Sequence, residues 1–358
     1  MTIKSRRLLL AASLGVAISL CSAGAMAQDK RFDGVTLRVA TYGGLWRDIM
    51  DKEITPKFVA LGGKIEYVTG SPQANFAKLV AGRGRAPFDV MEVLDAQVGD
   101  FNEADFLAPI DLAKIPNKQF LKPFQYSPKL VAAWFTQEAI CYNTEKYKEL
   151  GLPAPKTYKD LANPALAGKV IIPDITSGGG LAAIGGFAAA AGGSEADIKP
   201  GLELINSLKT QKFWSQGDQV VLGFKSGDIY AAAVHAGWCL RAKKVGAPVM
   251  SVHPQIKPGV VGVAKDGWLG IMKSSSNVEA AHWFINEYLD AGYQLTFAVS
   301  GGVVPVNQKA IDKMGEDPVF AEMLQLKAAD IEKELRIDYT KANLSEWNDL
   351  WGRTVARR

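Results

Sequence analysis

The chain has 358 residues, 48% of them hydrophobic, with 41 Lys+Arg against 37 Asp+Glu, three histidines and three cysteines. That length supports a sizeable core and suggests two domains of ordinary size. Residues 1–27 hold three of the basic residues and no acidic one, so the remainder carries 38 Lys+Arg (41 less 3) against 37 Asp+Glu, which leaves no electrostatic case for nucleic acid.

Lys4, Arg6 and Arg7 precede an uncharged run from Leu8 to Ala27 that ends in Ala25-Met26-Ala27, the pattern of a cleaved secretory signal peptide. The run is too short and too weakly apolar in its second half to span a membrane, and no other segment approaches about 18 consecutive apolar residues. The expectation is a periplasmic protein, exported by the Sec route more readily than by the twin-arginine route that Ser5-Arg6-Arg7-Leu8-Leu9 resembles. Cys141 and Cys239 remain after cleavage. Export permits a disulfide, whereas their apolar contexts favour two buried thiols.

Leu37, Val39 and Thr41 alternate as in a strand, and Gly43-Gly44 ends it before a helical series at Leu45, Ile49 and Phe58. The first free N–H groups of such a helix point beyond the strand end. Lys64–Val68 is a second strand, leading through Ser71 to a helix with Phe76, Leu79 and Val80 on one face, and Phe88–Leu94 is a third, with Asp95 at its end. In parallel α/β sheets ligands collect beyond the carboxyl ends of strands, so Tyr42, Ser71 and Asp95 are candidates for one rim, although each type also serves in turns and caps.

Leu130–Asn143 reads as a long extended crossing. A second α/β set begins at Val170–Ile172, where Ser177 and Gly178 precede an alanine-rich helix, Leu181–Ala191, that repeats the strand-turn-helix arrangement of the first. A strand expected to start at Gly227-Asp228-Ile229 ends at His235, with Trp238 on the following helix. Val260–Met272 reads as the return crossing, with Asp266 in its middle. Ser276 to Glu279 suggests a capping box, Gly301–Asn307 a further crossing, and Trp347 and Trp351 a packing stripe on the last helix.

The sequence lacks a G-x-S-x-G elbow, an H-E-x-x-H or C-x-x-C pair and a P-loop lysine, and His235, His253 and His282 share no ligand spacing. The reading is therefore a binding protein with no enzyme activity, cofactor or metal, and the two lobes with extended crossings suit closure around a small-molecule solute.

Several segments carry a family resemblance: Thr41–Trp46, Phe88-Asp89-Val90, Ala139–Asn143, Asp160–Pro164 with Gly168-Lys169-Val170, Asp266 followed by Ile271, and Pro305-Val306-Asn307. Over most of its length the chain resembles the periplasmic solute-binding proteins of ABC importers, and within them the spermidine/putrescine-binding group. The resemblance implies an α/β, two-lobed, type II Venus-flytrap fold with hinge crossings. It places lobe 1 at residues 28–135 and 267–303 and lobe 2 at 136–266 and 304–358, and implies a monomer that delivers its solute to the membrane permease of an ABC importer.

By the same resemblance, Tyr42 would stack on the solute, Asp266 would pair with an ammonium group, and His235 stands where the family has an aromatic. The family's acidic residues before the second lobe's long helix are replaced by Ile175–Gly179. A buried dication short of carboxylates would be left unpaired at a cost of several kcal/mol, so the expected solute is amine-bearing yet not a simple polyamine. A zwitterionic amino-acid derivative or opine fits, its amine at Asp266 and Asp95, its other end at Ser177, Gly178 and the Gly43-Gly44 amides. Arg241 is a candidate carboxylate partner, although a solvated helix-face arginine is the favoured reading. A periplasmic enzyme on the same fold and a binder of a small carboxylate are the alternatives.

Overall fold

The computed structural model describes residues 30–355 except 122, 123, 125 and 126. The candidate signal peptide lies outside the described residues. The strands are Thr36–Thr41 (β1), Lys64–Thr69 (β2), Val90–Leu94 (β3), Val131–Asn143 (β4), Val170–Pro173 (β5), Lys212–Trp214 (β6), Ala231–His235 (β7), Val249–Val252 (β8), Gln255–Lys257 (β9), Val260–Val261 (β10), Val263–Ile271 (β11), Val304–Pro305 (β12) and Leu335–Arg336 (β13). Eleven of them join in one sheet, ordered β2-β1-β3-β11-β4-β7-β5-β6 with β8 and β12 on β4 and β13 on β11.

The two ends of this sheet are parallel α/β blocks, and its middle is antiparallel. β2, β1 and β3 pair in parallel, as do β6, β5 and β7. β11 runs antiparallel to β3 and β4, and β4 antiparallel to β7. Along one edge β4 passes from β11 to β8, and along the other from β12 to β7. Its buried pattern is nearly unbroken over 13 residues because both faces are covered, as in a central strand. The architecture is thus two-lobed, with β4 and β11 passing between the blocks.

Local chemistry explains most element ends. Pro72 opens the helix Pro72–Ala81 and Ser71 caps it, and Asn143 caps the helix that follows β4. Two expectations are corrected. Gly227 does not begin a strand: at φ 75° it is the left-handed C-terminal stop of the helix Asp218–Ser226, and β7 starts at Ala231. Ser276 and Glu279 do not form a capping box. The helix is Val278–Tyr288, and Glu279 reaches outward to Arg31 at 2.7 Å.

Cys141 and Cys239 are joined in a disulfide, their Cα atoms 5.6 Å apart, which overturns the reading of two buried thiols. Both are buried as their apolar contexts require, but the helix Ala236–Lys244 packs on β4 with Cys239 facing Cys141. Trp347 and Trp351 are buried in the core of the second block, the packing role their spacing suggests.

Candidate functional site

Residues directly opposed in an antiparallel ladder share a face of the sheet, and successive residues alternate between faces. Thr136 lies opposite Lys265, Trp134 opposite Gly267, and Glu138 opposite both Val263 and His235. Trp134, Thr136, Glu138, Lys265 and His235 therefore project from one face, and Phe135, Gln137 and Asp266 from the other. On the first face lies a cavity of about 290 Å³, near the low end of the range for small-ligand sites. Trp134, Thr136 and Lys265 line it from the crossing strands, Tyr42 and Gly43 from the first lobe's turn, Leu45 and Trp46 from the helix it opens, His235, Trp238 and Arg241 from the second lobe, and Gly301 and Val303 beside them.

The walls are aromatic. Trp46 meets the rings of Tyr42 and Trp134 edge-on at 5.4 and 5.3 Å and backs onto Phe297 at 4.5 Å. Gly267 makes room for Trp134: a Cβ there would stand 2.2 Å from the indole. The indole N–H of Trp46 donates to Glu92 Oε1 at 2.7 Å, and burial pushes the Glu92 carboxyl up to about 7.

The charged lining is cationic. The Arg241 guanidinium stacks 4.1 Å over Trp238 and donates to the Gly301 carbonyl at 2.9 Å. Lys265 donates to the Gly178 carbonyl at 2.7 Å, 5.7 Å from the centre of the Trp134 ring. Burial, and then the charges of Lys265 and Arg241, hold the pKa of His235 well below its ordinary value, so the imidazole is neutral.

Of the residues expected at the site, the cavity gathers Tyr42, Gly43, His235 and Trp238. Gly44, at φ 61°, stands just before the helix Leu45–Glu53. Ser71 accepts from the Ala74 N–H at 3.1 Å, and Ser177 Oγ is buried without a hydrogen-bond partner. Gly178 meets the site through its carbonyl on Lys265. Asp95 accepts from the Ala96 and Asp266 N–H groups at 2.7 and 3.2 Å and is pushed up to about 7 by burial, then by the Asp266 charge. Asp266, on the face away from Lys265, pairs with Arg336 at 3.0 Å.

Trp46, Trp134, Thr136 and Lys265 were not singled out from the sequence, and Arg241 proves to be a partly buried lining residue rather than a solvated one. No alternation marks the floor in the sequence, because Trp134-Phe135-Thr136-Gln137-Glu138 is polar or aromatic at every position and its facing is set by pairing with β11. Among the described residues no group of three or more His, Cys, Asp or Glu could hold a metal ion.

Two α/β lobes joined by crossing strands, with a solute-sized cavity at the crossings, define the class of two-lobed solute-binding proteins. The profile of the bacterial extracellular solute-binding proteins matches residues 43–295, and the chain belongs to that family. It is a solute-binding receptor and not an enzyme.

Solved structures share the fold. An ABC transporter protein from Clostridium perfringens is 22% identical, with a TM-score of 0.73 over 89% of this chain and 99% of its own. The spermidine/putrescine substrate-binding protein PotD from Streptococcus pneumoniae is 16% identical (TM-score 0.72, 90% and 98%). MotA from A. tumefaciens B6, in complex with glucopine, is 20% identical (TM-score 0.67, 89% and 99%). No curated protein gives a significant match. Among the described residues no helix is long and apolar enough to cross a membrane.

Proposed function

We propose that the protein is the receptor for a small carboxylate-bearing amino compound, an amino-acid derivative of the opine kind, which it hands to its membrane permease. The observation that carries this reading is the cavity lining: Arg241 and Lys265 with four aromatic rings, and no carboxylate. A polyamine placed there would meet two like charges. A carboxylate would meet a guanidinium whose planar fork matches it and an ammonium beside it, and the rings of Tyr42, Trp46, Trp134 and Trp238 would cover an aliphatic body. The fold serves proteins named for either chemistry, and the charge of the lining favours the carboxylate-bearing one.

The lobe boundaries at 135/136, 266/267 and 303/304, the cleaved signal over residues 1–27, the Sec route and a monomeric state belong to the same proposal. Tyr42, Gly43, His235 and Trp238 are its solute contacts, joined by Trp46, Trp134, Thr136, Lys265 and Arg241. Asp266, paired with Arg336, has its attraction for a second cation reduced.

The test is a thermal-shift screen of ligand-stripped protein against polyamines, opines and other amino-acid derivatives, and simple carboxylates. A ligand at about 100 times its dissociation constant stabilises by roughly 2.7 kcal/mol. Shifts are expected with carboxylate-bearing compounds. A response to polyamines alone would overturn the reading.

A further inference from the structure

Glu138 is a carboxylate that the site described above does not use. We propose that it is the specificity-determining residue for the solute's amine, accepting an ammonium N–H at a place separate from the carboxylate-binding Arg241. The proposal rests on the reading of a carboxylate-bearing solute and assigns its second pole.

Four observations converge on it. Glu138 is 1% exposed, yet its Oε2 has no hydrogen-bond partner, and Oε1 receives only a long contact of 3.4 Å from the Thr136 hydroxyl. The ladder sets its side chain on the face that carries Thr136 and Lys265, two residues beyond Thr136 and directly across from His235. The Nδ1 of His235 and the Oγ of Ser177 are likewise buried and unpartnered. Finally, a Cβ at Gly179 would lie 3.2 Å from Oε2, so the Ser177–Gly179 turn borders the carboxylate without covering it by a side chain.

A buried carboxylate oxygen without a donor is costly, and such atoms mark a place where a further partner docks. Lys265, the cation whose charge acts on Glu138, is engaged by the Gly178 carbonyl, and Arg241 by Trp238 and Gly301. A solute ammonium supplies the missing donors. The groups facing Glu138 are Lys265 on β11, Asp95 at the end of β3, His235 on β7 and the Tyr158 and Tyr339 hydroxyls. Burial, countered by Lys265 and reinforced by Asp95, pushes the carboxyl up to about 7. An arriving ammonium therefore displaces to solvent the proton that burial leaves on part of this acid.

The experiment titrates wild type and Glu138→Gln by calorimetry with amino carboxylates of about three to six carbons, each paired with its des-amino acid, and with glucopine, putrescine and spermidine. Wild type is expected to bind the amino member of a pair about tenfold or more tightly, and Glu138→Gln to lose that preference while keeping its affinity for the des-amino acid. Equal binding of both members by wild type overturns the amine assignment and leaves the carboxylate reading standing. A preference retained in Glu138→Gln overturns the role of Glu138. Binding of polyamines alone, or of nothing in the panel, overturns the carboxylate reading and this inference with it.

A second measurement does not depend on how the variant folds. Wild type titrated at pH 7 in two buffers of different ionisation enthalpy should release more protons with the amino compound than with its des-amino partner. Equal release would also refute the assignment.

Discussion

The indole N–H of Trp46 donates to Glu92 Oε1 at 2.7 Å, so a wall of the cavity is held by a carboxylate buried behind it. That carboxyl is pushed up to about 7 by its burial. An unfolded glutamate ionises near pH 4.3, so between that pH and about 7 the folded protein holds a proton that the unfolded chain has lost. Its contribution to stability is full below the unfolded value, falls as pH rises through about 7, and is level above. The change is on the order of 3 kcal/mol. Melting curves of ligand-free protein from pH 5 to 8 should show this decline, to which Asp95 and Glu138 add, and Glu92→Gln, whose amide oxygen can still accept from Trp46, should make it shallower. An unchanged slope in the variant would assign the titration to other groups.

The Arg241 guanidinium stacks on the Trp238 ring and donates to the Gly301 carbonyl. Replacing it with Met keeps much of the stacking area and removes the charge. The ligand-free melting temperature should move by no more than about 3 °C, because a partly exposed contact contributes little. Affinity for a carboxylate-bearing solute should fall about 10- to 100-fold. Titration of the two proteins with the same compound decides the matter, and unaltered affinity would remove Arg241 from the site.

The disulfide fastens the helix that carries Trp238 and Arg241 to β4, which carries Trp134 and Thr136. Closing a loop with a sequence separation of 98 is worth about 4–5 kcal/mol in the chain-entropy view. The double substitution of Cys141 and Cys239 by Ala should lose about 2–5 kcal/mol of stability and also weaken solute binding, because both cavity walls lose a common anchor. Denaturant unfolding and a binding titration on one preparation separate the two effects. Lost stability with intact affinity would show that packing alone positions the helix.

The strand-turn-helix at Leu37–Trp46 and the two long crossings were legible because period-2 alternation and glycine punctuation are local signals. Which face a crossing residue takes was not. Lys265 and Asp266 are neighbours in sequence, and only the pairing of β11 with β4 shows that Lys265 shares the face of Thr136 while Asp266 meets Arg336. The same limit hid Glu138, which becomes notable through its neighbours across the ladder, and the disulfide, whose cysteines are set face to face by tertiary packing. Arg241 reads as one more charge on a helix until the Gly301 carbonyl and the Trp238 ring are placed beside it.

Gly237 offers the most direct probe of closure. A Cβ added there would lie 1.8 Å from the Gly302 carbonyl oxygen, so the start of the second-lobe helix Ala236–Lys244 approaches the end of the helix Ala291–Gly301 as only glycine permits. Arg241, one turn on, donates to the adjacent Gly301 carbonyl, so these contacts act together to hold the cavity's mouth. Gly237→Ala would block this approach without emptying either core, and within a helix alanine is favoured over glycine by up to about 1 kcal/mol. The Cβ meets backbone rather than a flexible side chain, however, so ligand-free Gly237→Ala should also melt about 3 °C or more below wild type. The solute should bind about tenfold or more weakly, since only the closed form brings the two sides of the cavity together. Small-angle scattering with saturating solute should then show a more extended particle than wild type. If the variant binds with wild-type affinity and compacts to the same radius, the backbone contact at Gly237 and Gly302 is incidental to closure.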